Sequence, residues 1–117
     1  MGRRERQHHR EQAQQNWPRL ASLLTCYFNQ DFDVSFGSVD GAFAAAVDEC
    51  SLSDRQAILK EWRAWNGHFA GSEIRDFLQD GFGVALYFKQ NADAWLFMNR
   101  LYQDLLDRVK TETATGE

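Results

Sequence analysis

The chain has 117 residues, a formal net charge of -4 and a hydrophobic fraction of 44%, with nine Phe and four Trp. This is the size of one domain with enough apolar area for a packed core, which excludes disorder over most of the length. Residues 1–16 are basic, with four Arg against two Glu, whereas the remainder is acidic, with nine basic against fifteen acidic side chains. The acidic remainder argues against nucleic acid or an anionic membrane as its direct partner and favours a basic partner.

Location and redox state follow from the same composition. The first 16 residues lack the apolar centre of a signal peptide, and no run approaches the roughly 20 apolar residues that span a membrane. We therefore expect a cytoplasmic protein. Cys26 and Cys50 stand in no metal-ligand spacing, which predicts two buried thiols in a reducing compartment and leaves a disulfide between them open.

The N-terminal stretch, residues 1–16, is nearly all Arg, Gln, Glu and His, with no apolar periodicity to hold it against a core. It is predicted to be a disordered basic arm. His8 and His9 are adjacent and point to different faces of any regular element, which disfavours a metal site there. An arm that contacts RNA or another chain is the alternative to a solvated one.

Two helices are predicted next. Pro18 suits the first turn of one helix, and Ser38, after the break that ends at Gly37, is an N-cap for the other. The apolar residues of both recur at helical spacing. Their buried faces are predicted to contain Leu20, Leu23, Leu24, Tyr27 and Phe28 in the first helix, and Val39, Phe43, Ala46, Val47 and Cys50 in the second.

A capping box at Ser53–Gln56 opens a third helix, which Gly67 ends. Its inner face contains Ile58, Trp62, Trp65 and Phe69. The Trp pair is interpreted as core packing and not as a platform for nucleobases, because the protein is acidic.

The remaining chain predicts two more helices around a connector. Ser72 caps a short fourth helix that stops at Gly81, residues 82–88 form an irregular apolar connector or a short helix because no second strand is visible for pairing, and Asp93 caps the last helix. The inner face of the last helix is Trp95, Met98, Tyr102, Leu105, Leu106 and Val109. The chain is therefore predicted to be all-α, a compact single-domain bundle of about five helices over residues 17–110, between the arm at 1–16 and a flexible tail at 111–117.

Catalytic signatures are few. His68 is the only histidine outside the arm and lies in a predicted turn, with no nucleophile motif, no HExxH and no Gly-rich phosphate loop. Asp31 and Asp33 could act as an acid–base pair or bind a divalent cation, yet the calcium-loop pattern is absent. We predict no enzyme, no cofactor and no metal, and interpret the chain as an interaction protein for a basic partner.

The segment around residues 20–33 resembles a known family. The residues that carry the resemblance are Leu20, Leu23, Leu24, Tyr27, Phe28, Gln30, Asp31, Phe32 and Asp33, followed by a Ser/Gly turn and an Ala-rich helix. This pattern is similar to the immunity proteins (CdiI) of bacterial contact-dependent growth inhibition (CDI) systems, over roughly residues 17–109, with Asn29 where the family typically has His. The resemblance implies a small cytoplasmic protein that binds the C-terminal toxin domain of its cognate CDI adhesin.

Such toxins are often nucleases, whose substrate cleft must be basic, so an acidic protein can cover it by electrostatic and steric occlusion. We expect a 1:1 heterodimer without direct contact to nucleic acid or membrane. The predicted toxin-binding residues are Asp31, Asp33, Asp40, Asp48 and Glu49, a second patch of Glu73, Asp76 and Asp80, and Phe32 or Phe36 as an apolar anchor.

Three alternatives stay open. Tyr27 and Phe28 are expected in the core, and either Asp31 or Asp33 is equally well explained as the cap of a turn. A helical regulator that contacts nucleic acid through the Arg-rich arm would bind in a salt-sensitive way. Metal-assisted hydrolysis at Asp31 and Asp33 would stop on chelation.

Overall fold

The structure is a computed structural model that describes residues 3–69 and 74–115. All regular structure in these two ranges is helical. The helices are α1 (Arg3–Asn16), α2 (Pro18–Tyr27), α3 (Phe32–Phe36), α4 (Val39–Glu49), α5 (Leu52–Phe69), α6 (Ile74–Asp80) and α7 (Asn91–Thr115). The all-α prediction is confirmed, but the described ranges contain seven helices instead of about five.

One additional helix lies where a disordered arm was expected. In α1, Ala13 is fully buried, its carbonyl accepts a 2.8 Å bond from the Trp17 N–H, and the His9 ring lies 5.2 Å from that of Phe77 in α6. Only one apolar side chain among the described residues of this helix, Ala13, belongs to the buried core, so periodicity has no apolar stripe to detect. At the other end, α7 continues helically through Thr115, past the boundary predicted at 110.

The first predicted helix is confirmed as α2, with Leu20, Leu23, Leu24 and Phe28 buried. Its N-terminal N–H groups lack a local cap. Instead, those of Arg19 and Leu20 donate to the Glu61 carboxylate of α5 at 2.9 and 3.0 Å. A carboxylate at a helix N-terminus satisfies orphan donors and complements the dipole, so this contact joins α2 to α5.

The start of α4 agrees with the prediction. The Ser38 hydroxyl accepts a 3.0 Å bond from the Gly41 N–H, and Phe43, Ala46 and Val47 are buried. A Cβ on Gly41 would lie 2.2 Å from the Phe36 carbonyl oxygen. Glycine is therefore required here because α3 approaches α4 so closely.

The predicted bounds of the third helix were wrong. Helix α5 begins at Leu52, where the Ser51 hydroxyl accepts a 3.1 Å bond from the Asp54 N–H, so Ser51 and not Ser53 is the cap. The helix continues through Gly67, which was predicted to end it, and reaches Phe69. A single glycine does not by itself end a helix. Ile58, Trp62 and Trp65 are buried, as predicted. The side chain of Phe69, and all of Ser72 and Glu73, lie outside the described residues.

The segment predicted as a connector or a short helix is irregular, and no helix forms over residues 83–88. Phe82, Val84 and Phe88 are buried, and the Val84 and Ala85 N–H groups donate to the Leu78 and Phe28 carbonyls at 3.0 and 2.8 Å. These bonds satisfy the backbone in the absence of a pairing strand.

The start of α7 differs slightly from the prediction. The Asp93 carboxylate accepts a 3.2 Å bond from the Gln90 N–H, which makes Asp93 the third residue of the helix and Gln90 its cap position. Trp95, predicted to face inward, is 36% exposed, and its indole N–H donates to the Asn66 side chain at 3.3 Å. The inward face of α7 is represented instead by Met98, Leu101 and Leu105.

The core is strongly aromatic. Phe28 lies with its ring centroid 4.9 Å from those of both Phe43 and Phe97, so α2, α4 and α7 meet at one point. The cysteines lie outside this core: both are free thiols, with Cys26 exposed and Cys50 half-buried, and burial raises the pKa of Cys50. The prediction of two buried thiols was wrong for Cys26.

Candidate functional site

The predicted junction after α2 forms an exposed turn and the short helix α3. The Asn29 side-chain oxygen accepts a 2.9 Å bond from the Asp31 N–H, and the Asp33 carboxylate accepts a 3.0 Å bond from the Val34 N–H. Asp31 occupies the position before α3 without a side-chain capping bond. Neither carboxylate forms an ion pair with any residue that the structure describes, so both remain available to an external cation.

The aromatic residues of the junction face inward. Phe32 and Phe36 are half-buried, with ring centroids 6.3 Å from Phe28 and 5.3 Å from Tyr27. Val34, which periodicity did not single out, is 84% exposed. We call Asp31, Asp33 and Val34, with Phe32 and Phe36 beneath them, the junction surface. It combines two unpaired carboxylates with one exposed apolar side chain.

The predicted acids of α4 lie beside this surface but have partners within the chain. Asp40 pairs with Arg100 at 2.7 Å, Asp48 pairs with Arg108, and Glu49 accepts a 2.7 Å bond from the Tyr27 hydroxyl. All three acids are exposed. Surface pairs of this kind contribute little to stability and can exchange with a partner's charges.

The predicted second patch is less open. Asp76 lies 3.7 Å from the guanidinium of its neighbour Arg75, and Asp80 lies 3.6 Å from the His9 ring of α1. Both acids are half-buried, and Glu73 is outside the described residues. The contact between α1 and α6 therefore occupies part of the patch that the sequence presented as a free acidic edge.

Sequence reasoning missed an acidic groove between α4 and α7. Asp104 and Asp107 of α7 line it together with Asp48 and Arg108, above an apolar floor of Phe43 and Val47. The available signal was the spacing of Arg100, Asp104, Asp107 and Arg108 on the outer face of the last helix. That pattern looks like an ordinary solvated face until the neighbouring helix is known.

Metal ligands do not cluster in the described parts of the chain. Across residues 3–69 and 74–115 there is no group of three or more His, Cys, Asp or Glu side chains arranged to hold a metal ion. No helix within these same ranges has the length and apolarity needed to cross a membrane.

Comparison with known proteins shows the family of the chain. Residues 16–105 match the family described as CdiI immunity protein, which is more than half of the chain. The chain belongs to the CdiI immunity protein family. No curated protein and no solved structure matches it.

Membership in the CdiI immunity protein family confirms the resemblance expected over roughly residues 17–109. It implies that the chain binds and neutralises a cognate toxin domain of a contact-dependent growth inhibition system. Proteins of this family are generally not enzymes.

Proposed function

We propose that this CdiI immunity protein neutralises a nuclease toxin domain by covering its basic substrate cleft with the junction surface. The observation that supports this is the pair of exposed carboxylates, Asp31 and Asp33, which have no cationic partner in the described chain and directly precede the exposed side chain of Val34. A nuclease binds phosphate through Lys and Arg, and these carboxylates present negative charge in place of phosphate.

The steric part of the mechanism follows from the position of the junction. Phe32 contacts Phe28 and Phe36 contacts Tyr27, so α3 is attached to the core through two aromatic pairs. A firmly attached short helix that projects acids can enter a cleft with little loss of conformational entropy. An interface of about 1,600 Å² in a 1:1 heterodimer would exclude nucleic acid from that cleft.

Asp40, Asp48 and Glu49 extend the negative surface from the junction along α4. The continuity is direct, because Tyr27 contacts both Phe36 and Glu49. These acids speed the encounter with a basic toxin more than they add to its final affinity, since each already has a partner.

The experiment compares binding to the toxin domain encoded directly upstream, together with protection of cells that express it. The variant is Asp31→Asn with Asp33→Asn, in which the amide oxygen introduced at position 33 can still accept the bond from the Val34 N–H. Its matched control is Glu11→Gln with Asp54→Asn, which removes the same charge from two exposed acids outside the junction surface.

We expect the junction variant to bind at least about tenfold more weakly, with a reduced dependence of affinity on salt, and the control to bind like the wild type. A wild-type protein that gives no complex and no protection would reject the function itself. A junction variant with unchanged affinity would reject this surface, and a toxin that lacks nuclease activity would reject the nuclease assignment.

A further inference from the structure

Helices α4 and α7 carry two ion pairs in the same register. Asp40 pairs with Arg100 and Asp48 pairs with Arg108, so the partners are eight residues apart on both helices. Equal spacing in the same direction means that the two helices run parallel here. Eight residues of α-helix separate the two pairs by about 12 Å.

Midway between these two ion pairs, no ion pair joins α4 to α7 among the residues that the structure describes. In this register Ala44 faces Asp104, so the acid is on α7 here, and α4 supplies only a methyl group where a cationic side chain could pair with it. The Asp104 carboxylate lies 3.7 Å from the Arg100 guanidinium, which already contacts Asp40 at 2.7 Å. One turn further along α7, Asp107 forms no ion pair with the residues that the structure describes.

Space for an additional side chain exists at this position. The groove between α4 and α7 has a volume of about 490 Å³, and Phe43 and Val47 form its floor. The hydrocarbon stem of an arginine or lysine can pack on such a floor while its charged end reaches the two carboxylates. The Asp48–Arg108 pair closes one end.

We propose that this groove receives a basic side chain, Arg or Lys, from the toxin domain, which pairs with Asp104 and Asp107 opposite Ala44. The proposal rests on the proposed function and extends its surface. Charge complementarity selects the occupant, because both Asp104 and Asp107 are anionic and the nuclease cleft of the proposed function is basic. Continuity supports it too, because Asp40 precedes Gly41, whose backbone packs against the Phe36 carbonyl of the junction surface.

The decisive variants test the charge and the space separately. Asp104→Asn with Asp107→Asn removes the charge along the outer edge of α7. Ala44→Arg places a guanidinium of the protein's own in the groove, where it can pair with Asp104. The matched control for the second variant is Ala64→Arg, which adds the same side chain to another exposed alanine, on α5.

Titration with the purified toxin domain encoded directly upstream gives the readout. We expect both groove variants to weaken binding about 30-fold or more, as when one partner of an interfacial charge pair is lost, and Ala64→Arg to bind like the wild type. Full affinity of the Asp104→Asn, Asp107→Asn variant overturns the proposal, whatever Ala44→Arg does.

That result leaves the proposed function standing if Asp31→Asn with Asp33→Asn still weakens the complex. Absence of binding by the wild-type protein overturns both. If Ala44→Arg fails to fold, the double Asn variant decides alone, since within the described chain the only ion pair it removes is the 3.7 Å contact between Arg100 and Asp104.

Discussion

The Tyr27 hydroxyl donates a 2.7 Å hydrogen bond to the Glu49 carboxylate, and this bond joins the C-terminal end of α2 to that of α4. The Tyr27 ring also lies 5.3 Å from that of Phe36. The Tyr27 side chain therefore fixes the position of the junction surface relative to α4. Glu49, predicted as a toxin contact, has a structural partner even without the toxin.

Tyr27→Phe removes this bond while it keeps the ring. We expect the free energy of unfolding to fall by about 0.5–1.5 kcal/mol, because Glu49 is exposed and regains water as a partner. Tyr87→Phe is the matched control, since that ring is 80% exposed, and should leave stability unchanged. Urea denaturation measures both, and equal stabilities of the two variants would contradict the role of the bond.

The same bond predicts an alkaline loss of stability. Burial first, and then the hydrogen bond and charge of Glu49, raise the pKa of Tyr27 above its ordinary value of 10.0. A raised pKa in the folded state means that stabilisation is fully present below the pKa of the unfolded chain and is lost as the pH rises through the folded value.

We therefore expect the stability difference between the wild type and Tyr27→Phe to stay constant below pH 10.0, the ordinary tyrosine value, and to shrink as the pH rises above it. Unfolding free energies measured on both sides of that value test the expectation. A difference that stays constant, or an ultraviolet titration in which all tyrosines ionise together, would show that Tyr27 is not perturbed in this way.

Local sequence signals accounted for much of the fold. The apolar spacing of Leu20, Leu23 and Leu24 and the cap at Ser38 predicted α2 and α4, because both depend only on neighbours along the chain. Ser51 was missed because Ser53 begins an equally good capping pattern two residues later.

Contacts between segments that are distant in the chain could not be predicted from local sequence signals. Helix α1 is held by His9 and Ala13 against α6 and Trp17, and the groove acids Asp104 and Asp107 become a site only when α4 lies alongside α7. Pairing and register between helices are tertiary properties, so the same exposed charges on a single helix are compatible with a solvated face. The end of α2 at Tyr27 agrees with the predicted end of the first helix, whereas the exposure of Val34 was not anticipated.

Arg55 provides a sharper test of the packing between α4, α5 and α7. The residue is 3% exposed, its Nε donates to the Val47 carbonyl at 2.7 Å, and its guanidinium pairs with Glu112. It thereby caps the end of α4 and attaches that end to α7. Periodicity placed no charge in the core, so this residue was not anticipated.

Arg55→Met keeps most of the side-chain volume and removes these bonds. We expect a loss of about 2–4 kcal/mol in the free energy of unfolding, because buried backbone carbonyls lose their donor, while Glu112 is exposed enough to stay hydrated. Arg19→Met is the matched control, since its 3.1 Å pair with Asp54 is exposed, and should cost at most about 1 kcal/mol. Equal losses in urea denaturation would refute the structural role of Arg55.

Val34 tests whether the junction surface contributes apolar contact as well as charge. Because Val34 is 84% exposed, Val34→Ser should leave the midpoint of thermal unfolding unchanged. The same variant should weaken toxin binding about three- to thirtyfold, because a valine buried at the core of an interface contributes about 1 kcal/mol or more. Val34→Ile, which keeps the apolar contact, should retain the wild-type affinity. If serine and isoleucine bind the toxin equally well, Val34 does not enter the interface, and the junction surface acts through Asp31 and Asp33 alone.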